Sequence, residues 1–133
     1  MKYLALKTDQ GLAELSIVDG TGQILSEEKW QADRTLARDL LTHLTELLKF
    51  AELEWSSLDG LIVFRGPGSF TGLRIGITVM NTIAYAEKIP VVGTTGEDWL
   101  GIGIERLQHE DANNNHIVLP EYGAEPQITK PRK

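Results

Sequence analysis

The sequence predicts an α/β domain with a mixed five-stranded sheet, in the order βββαβαβα, and with helices on the faces of the sheet. Three β-prone segments follow one another near the N-terminus with only short glycine-containing breaks between them, which is typical of an antiparallel meander. Helical segments then alternate with short apolar runs, which indicates parallel strands joined by right-handed crossovers. A glycine-rich turn leads from the fourth strand into the second helix, and α/β folds often meet a ligand or partner at such a turn.

The meander is predicted from strands at 3–8, 12–18 and 23–30. The first break contains Gly11, and the second is the run Asp19-Gly20-Thr21-Gly22. Both breaks are short enough for hairpin connections between neighbouring strands.

The first helix is predicted at 33–51, because its leucines and alanines fall within one arc about 140° wide at 100° per residue. Asp33 is its expected N-cap. Short apolar runs at 61–64 and 90–93 predict the fourth and fifth strands, the fifth with a proline in the first position, where a strand tolerates it. A third helix is expected at about 97–108.

Length and composition are those of one globular domain with a real core: 133 residues, 41% of them hydrophobic and 24% charged. We expect residues 1–110 to form the lobe and residues 111–133 to add a loop, a short strand at 116–119 and an extended or disordered tail. The sequence has no cysteine, which excludes disulfides, thiolate metal sites and a cysteine nucleophile. The N-terminus does not have the pattern of a signal peptide, and no run reaches membrane-spanning length, so the expected location is the cytoplasm.

The acidic net charge of the chain argues against a protein that binds RNA by itself. Nineteen acidic residues oppose 13 basic ones, which gives a formal net charge of −6. Proteins that bind a polyanion usually present a basic face. Basic residues cluster only at the end, at Lys130, Arg132 and Lys133, and we interpret them as part of a solvated tail.

The glycine-rich turn does not match the named nucleotide loops. A Walker loop requires lysine where Leu73 stands, and in a dinucleotide fingerprint the third glycine would come one residue before Gly72. A hydrolase elbow would need glycines on both sides of Ser69, two residues away. We therefore predict a structural turn, although a ligand site stays open. Its residues are glycines that allow unusual backbone angles, a proline that restricts φ and hydroxyls that can cap a helix: Gly66, Pro67, Gly68, Ser69 and Thr71.

The second helix, at 73–87, is apolar over about half of its circumference, more than the ~100° that is needed to face one core. Such a helix is either enclosed in the core or packs on a second protein. Gly72 and Gly76 could allow another helix to approach closely, although this spacing alone is a weak signal. The candidate partner contacts are two glycines and three aliphatic residues: Gly72, Ile75, Gly76, Val79 and Ile83.

The run GPGSFTGLRIG at 66–76, after a short apolar strand and before a helix that carries alanine and isoleucine, resembles the TsaB (YeaZ) family. That family belongs to the glycoprotease-like branch of the actin/Hsp70-type ATPase fold and acts in making threonylcarbamoyladenosine in tRNA. The resemblance extends over roughly 3–99, and weakly to the C-terminus. It implies a ribonuclease-H-like (actin-like ATPase) lobe. TsaB-like chains normally carry a second lobe after the fifth strand, so we expect an internal shortening that keeps the first lobe and the tail.

The resemblance also implies that the chain has no catalytic, cofactor or metal site. Family members often have the sequence D-T-S at the end of the first strand, where this chain has Lys7-Thr8-Asp9. Lysine removes an oxygen ligand and adds a positive charge that would repel Mg²⁺. Asp9 could replace the missing ligand, or it could belong to a polar turn. The three histidines lack metal-site spacing, and the metal-binding histidine pair of the catalytic relatives has no counterpart.

The function that the resemblance implies is that of a non-catalytic partner subunit. The first-lobe helices would bind a TsaD-like catalytic subunit or a second copy of the chain, with a TsaE-like ATPase in the same assembly and tRNA reached only through the complex. Two alternatives stay open. One is a metal- or ATP-dependent glycoprotease-like enzyme, and the other is a homodimeric interaction protein without a role in modification.

Overall fold

The computed structural model describes residues 1–109 and 118–119. In this part of the chain, five strands and three α-helices follow one another in the predicted order, with bounds within three residues of those predicted. The strands are β1 (Lys2–Lys7), β2 (Leu12–Asp19), β3 (Ile24–Gln31), β4 (Gly60–Phe64) and β5 (Val91–Thr94). The helices are α1 (Leu36–Phe50), α2 (Phe70–Glu87) and α3 (Trp99–His109), with 3₁₀ turns at Asp33–Thr35 and Trp55–Ser57.

The strands form one mixed sheet in the order β3-β2-β1-β4-β5, which confirms the predicted fold class. β1 pairs antiparallel with β2, and β2 pairs antiparallel with β3, so the three strands form the predicted meander. β4 lies parallel to both β1 and β5. All five residues of β4 are buried, because parallel strands joined by crossover helices are covered on both faces and have apolar sequences without alternation.

Helices cover both faces of the sheet. Gly76 of α2 lies against Leu6 of β1, whereas Gly103 of α3 lies against Ile62 of β4. Ile62 pairs with Ala5, the neighbour of Leu6, and successive residues of a strand point to opposite faces. α2 therefore covers one face together with α1, which it contacts, and α3 covers the other. None of the helices in the described residues is long and apolar enough to cross a membrane.

The start of α1 differs from the prediction. Asp33 is not the N-cap, because its φ is +45° and a 3₁₀ turn precedes the α-helix. Its carboxylate instead accepts hydrogen bonds from Nε2 of Gln31, and its backbone N–H donates to the carbonyl of Gly11 at 3.2 Å. The position before α1 is Thr35, whose side chain makes no capping bond. The predicted cap was wrong because the backbone turns here to meet the β1–β2 connection.

α1 is tied to the edge strand β3 by a polar and aromatic cluster. Nδ1 of His43 lies 2.6 Å from Oε2 of Glu28, and the His43 ring stacks on Trp30 with 3.7 Å between the ring centroids. The side chain of His43 is half-buried in this cluster.

The C-terminal predictions mostly fall outside the described residues. Of the strand expected at 116–119, the structure describes Val118 and Leu119, and neither belongs to a strand. The boundary at residue 110, the loop that follows it and the tail from residue 120 lie outside the described part and stay predictions.

Candidate functional site: the glycine turn and the exposed face of α1 and α2

The glycine turn is packed against the connection between β1 and β2. The backbone N–H of Ser69 donates to the carbonyl oxygen of Asp9 at 2.8 Å. A Cβ at Gly68 would lie only 2.8 Å from the same oxygen, so no other residue fits there without a shift. Gly66 has the expected positive φ, +118°, but Gly68 does not. Glycine is needed at position 68 for close approach and not for its backbone angle.

The two hydroxyls of the turn do not cap α2. Ser69 is at the N-cap position, but its side chain makes no capping bond, and its carbonyl oxygen accepts the N–H of Leu73 at 3.0 Å. Thr71 lies inside the first helical turn, because α2 begins at Phe70. The capping predictions for both residues were wrong, since the backbone bond to Asp9 already fixes the start of the helix.

Lys7 and Asp9 form an ion pair at the carboxyl end of β1. Nζ of Lys7 lies 2.8 Å from Oδ1 of Asp9, and the two side chains are only 17% and 16% exposed. The same ammonium lies 4.6 Å from the centroid of the Phe64 ring, on the face covered by α3. The Asp9 carboxylate therefore balances a lysine, which does not fit the oxygen-rich ligand set that Mg²⁺ prefers. Among the described residues, no three His, Asp or Glu side chains are grouped so as to hold a metal ion.

Gly72 and Gly76 face the protein's own sheet. Oγ1 of Thr8 donates to the carbonyl oxygen of Gly72 at 2.8 Å, and a Cβ on Gly76 would collide with the same hydroxyl. The prediction that this pair opens a groove for another helix was wrong, because the end of β1 already fills the space. Ile83 is also buried in the core.

Two of the five candidate partner contacts, Ile75 and Val79, reach the surface, where both are half-buried. With residues of both helices they line a groove of about 370 Å³. Leu41 lies one turn beyond Ala37 on the same side of α1 and is 55% exposed, and Phe70 is 53% exposed. We call this surface the α1–α2 face: Ala37, Leu41, Phe70, Arg74, Ile75, Thr78 and Val79.

The sequence reasoning missed most of this surface. Leu41 and Ala37 belong to the predicted apolar arc of α1, and Phe70 precedes the helix predicted at 73–87. No local signal separates Leu41 from a buried leucine, since Leu36 at the other margin of the arc is buried. The guanidinium carbon of Arg74 lies 5.1 Å from the centroid of the Phe70 ring, so the aromatic end of the face carries a positive charge.

Comparison with known proteins identifies the family. The sequence model of the family described as "TsaD: tRNA N6-adenosine threonylcarbamoyltransferase" matches residues 25–100, more than half of the chain. The chain belongs to this family. The matched range contains α1, the glycine turn and α2, and therefore the whole α1–α2 face.

Within the TsaD family, the chain is a homologue of TsaB (YeaZ). It is 36% identical over 61 residues to the tRNA threonylcarbamoyladenosine biosynthesis protein TsaB of Haemophilus influenzae, covering 46% of this chain and 26% of that protein. Its structure resembles that of YeaZ from Pseudomonas aeruginosa, with a TM-score of 0.65 and 32% identity over 71% of this chain. That similarity spans only 43% of the YeaZ chain.

A more distant similarity bears on the fold alone. RuvC of Thermus thermophilus is only 9% identical, with a TM-score of 0.55 over 92% of this chain and 85% of RuvC. With the YeaZ similarity, it confirms the predicted ribonuclease-H-like lobe.

Proposed function

We propose that the chain is a non-catalytic partner subunit in the formation of threonylcarbamoyladenosine in tRNA, and that it binds a TsaD-like catalytic subunit through the α1–α2 face. Membership of the TsaD family and the function of the TsaB relative support the pathway. The observation that carries the proposed role is the apolar α1–α2 face itself, which the lobe leaves exposed.

The chemistry of the α1–α2 face suits protein binding. Aromatic and arginine side chains are enriched at the centres of interfaces, and Phe70 and Arg74 adjoin each other here. Full burial of an aliphatic or aromatic side chain contributes about 1.5–3 kcal/mol, so covering Leu41 and Phe70 would supply a useful share of a binding free energy. The groove between the helices is lined by Ile75 and Val79 and offers a concave surface for a side chain of the partner.

The ion pair between Lys7 and Asp9 supports a role without catalysis, because it occupies the strand end where active relatives are expected to carry a free aspartate. The transfer to adenosine would then belong to the TsaD-like subunit. A TsaE-like ATPase is a further expected member of the assembly, and tRNA would be reached through the complex. The glycoprotease-like enzyme, the main alternative, would need a metal or nucleotide site, and the described residues hold no group of three His, Asp or Glu side chains that could bind a metal ion.

The test is calorimetric titration of the chain into the TsaD-like protein of the same organism. Leu41→Glu places a charge in the α1–α2 face and should weaken binding at least tenfold, which corresponds to about 1.4 kcal/mol. The matched control is Ile102→Glu, a change of another exposed aliphatic residue on α3, which covers the opposite face of the sheet. This control should bind like the unchanged protein, and both variants should keep their melting temperatures.

Two outcomes would contradict the proposal. If both variants weakened binding to the TsaD-like protein equally, the α1–α2 face would not be the binding surface. If the unchanged protein did not bind the TsaD-like protein, that protein would be excluded as the partner. Measuring the size of the chain alone in solution would then show whether a second copy covers the α1–α2 face. In that case Leu41→Glu should turn the dimer into a monomer, and the homodimeric alternative would stand.

A further inference from the structure

A second surface of the lobe, on the β5 side of α2, holds a stretch of main chain. Asn81 lies in the middle of α2, and its side-chain amide pairs with both polar groups of Val118. Nδ2 donates to the Val118 carbonyl oxygen at 3.0 Å, and Oδ1 accepts the Val118 N–H at 3.0 Å. A carboxamide carries the same donor and acceptor as a peptide group, so this pairing recognises backbone and not side-chain identity.

A third hydrogen bond extends the contact by one residue. Nε of Arg65, just after β4, donates to the carbonyl oxygen of Leu119 at 2.8 Å. Three bonds therefore hold the main chain of two consecutive residues, and their protein partners come from separate parts of the lobe. The Leu119 side chain is 66% exposed, so the site recognises the backbone of this residue and not its side chain.

The Val118 side chain, in contrast, enters a pocket and is only 7% exposed. The pocket is made by Gly93 of the edge strand β5, where an added Cβ would collide with Cγ1 of Val118. Nη1 of Arg106 donates to the carbonyl oxygen of Gly93 at 2.9 Å and holds the floor of the pocket in position. The absence of a side chain at position 93 thus leaves room for the Val118 side chain against β5.

The walls of this site belong to the packed lobe. β5 is held by its parallel pairing with β4, and α2 by its buried stripe that includes Leu73 and Met80. Asn81 is the polar residue that this helix directs at the segment, and both of its hydrogen-bonding groups are used there. The strand and the helix that form the walls are thus fixed by contacts that do not involve Val118, and the walls would persist without the occupant.

We propose that the groove between α2 and the edge of β5 is a binding site for an extended peptide with a valine-like residue, and that the chain's own segment at Val118–Leu119 fills it in cis. A segment tethered to the same molecule has an effective concentration of about a millimolar, so it excludes the same sequence added in trans.

The test uses the full chain and a synthetic peptide with the sequence of residues 115–121, titrated to ~1 mM and followed by the side-chain amide resonances of Asn81. Val118→Asp puts a charge on a side chain that is only 7% exposed and should release the segment in cis, so this variant should bind the peptide. The matched control is Leu119→Asp, which changes an exposed neighbour and should leave the groove closed. The unchanged protein should bind the peptide at least tenfold more weakly than Val118→Asp.

A further variant tests the clamp itself. Adding Asn81→Ala to Val118→Asp removes both hydrogen bonds to the valine backbone of the peptide and should weaken peptide binding at least tenfold. Fluorescence of a labelled peptide measures this binding. Circular dichroism melting of each variant shows that the lobe stays folded. The proposal is overturned if folded Val118→Asp binds no peptide, if Leu119→Asp opens the groove equally, or if the unchanged protein binds as tightly as Val118→Asp.

Discussion

Gly76 shows how a single position in α2 depends on the end of a distant strand. Alanine is the better helix former by about 1 kcal/mol, yet its Cβ would meet Oγ1 of Thr8 and lie 3.3 Å from a methyl group of Leu6. Overpacking of this kind costs typically ~1–3 kcal/mol. We therefore expect Gly76→Ala to lower the free energy of unfolding, measured by urea denaturation, in spite of the gain in helix propensity.

Gly101 of α3 provides the matched control for this change. It is exposed, and a Cβ there would meet only the flexible carboxylate of Asp98. Gly101→Ala should therefore leave stability unchanged or raise it by up to about 1 kcal/mol. If both alanine variants gained stability, the contact between Gly76 and Thr8 would not limit the packing of α2.

The same glycines mark the limit of sequence reasoning for single residues. The spacing of Gly72 and Gly76 correctly predicted a close backbone approach but not the group that approaches. That group is Thr8, 64 positions from Gly72 in the sequence, and no local pattern reports such a contact. Gly68 is a similar case, because its need for glycine comes from the backbone of Asp9 and not from its own φ.

Among the elements, the attachment of α1 to the edge strand β3 depends on a small cluster. No residue of β3 is fully buried, and Glu28 and Trp30, which contact His43 of α1, are half-buried. Glu28→Ala removes the carboxylate that lies 2.6 Å from His43 and should lower the free energy of unfolding by about 1 kcal/mol. Thermal and urea denaturation measure this loss.

Glu27→Ala is the control for the edge strand, because it makes the same change of side chain at the neighbouring position, which is exposed on the other face. Any difference in strand propensity between glutamate and alanine applies to both variants. The control should stay within about 0.5 kcal/mol of the unchanged protein. Equal losses in the two variants would mean that Glu28 contributes through the strand alone and that its contact with His43 stabilises nothing.

Elements were more predictable than the surfaces between them. Periodicity and glycine breaks were enough for the number, order and type of the described strands and helices, because each depends on local sequence. The predicted start of α1 was wrong, because the backbone N–H of Asp33 donates to the carbonyl oxygen of Gly11, which is distant in sequence. The α1–α2 face was largely missed because an exposed leucine such as Leu41 has the same sequence pattern as a buried one.

At the scale of the whole molecule, charge and apolar surface point to different partners. The lobe exposes an apolar face between α1 and α2, while its net charge of −6 opposes a polyanion. Affinity for nucleic acid comes mainly from basic side chains that release counterions from the phosphates. A role in tRNA modification is therefore consistent with this chain only if protein contacts, and not RNA contacts, hold it in the assembly.

The acidic net charge predicts that the chain alone does not bind tRNA. Fluorescence anisotropy with labelled tRNA at physiological salt should give a dissociation constant weaker than ~10⁻⁴ M, the weak end of non-specific binding. Replacing Lys130, Arg132 and Lys133 by alanine should change nothing, because three basic residues at the terminus do not offset 19 acidic ones. Micromolar binding with a steep loss on adding salt would contradict the prediction. If the alanine variant abolished such binding, the basic end of the chain would be an RNA contact in its own right.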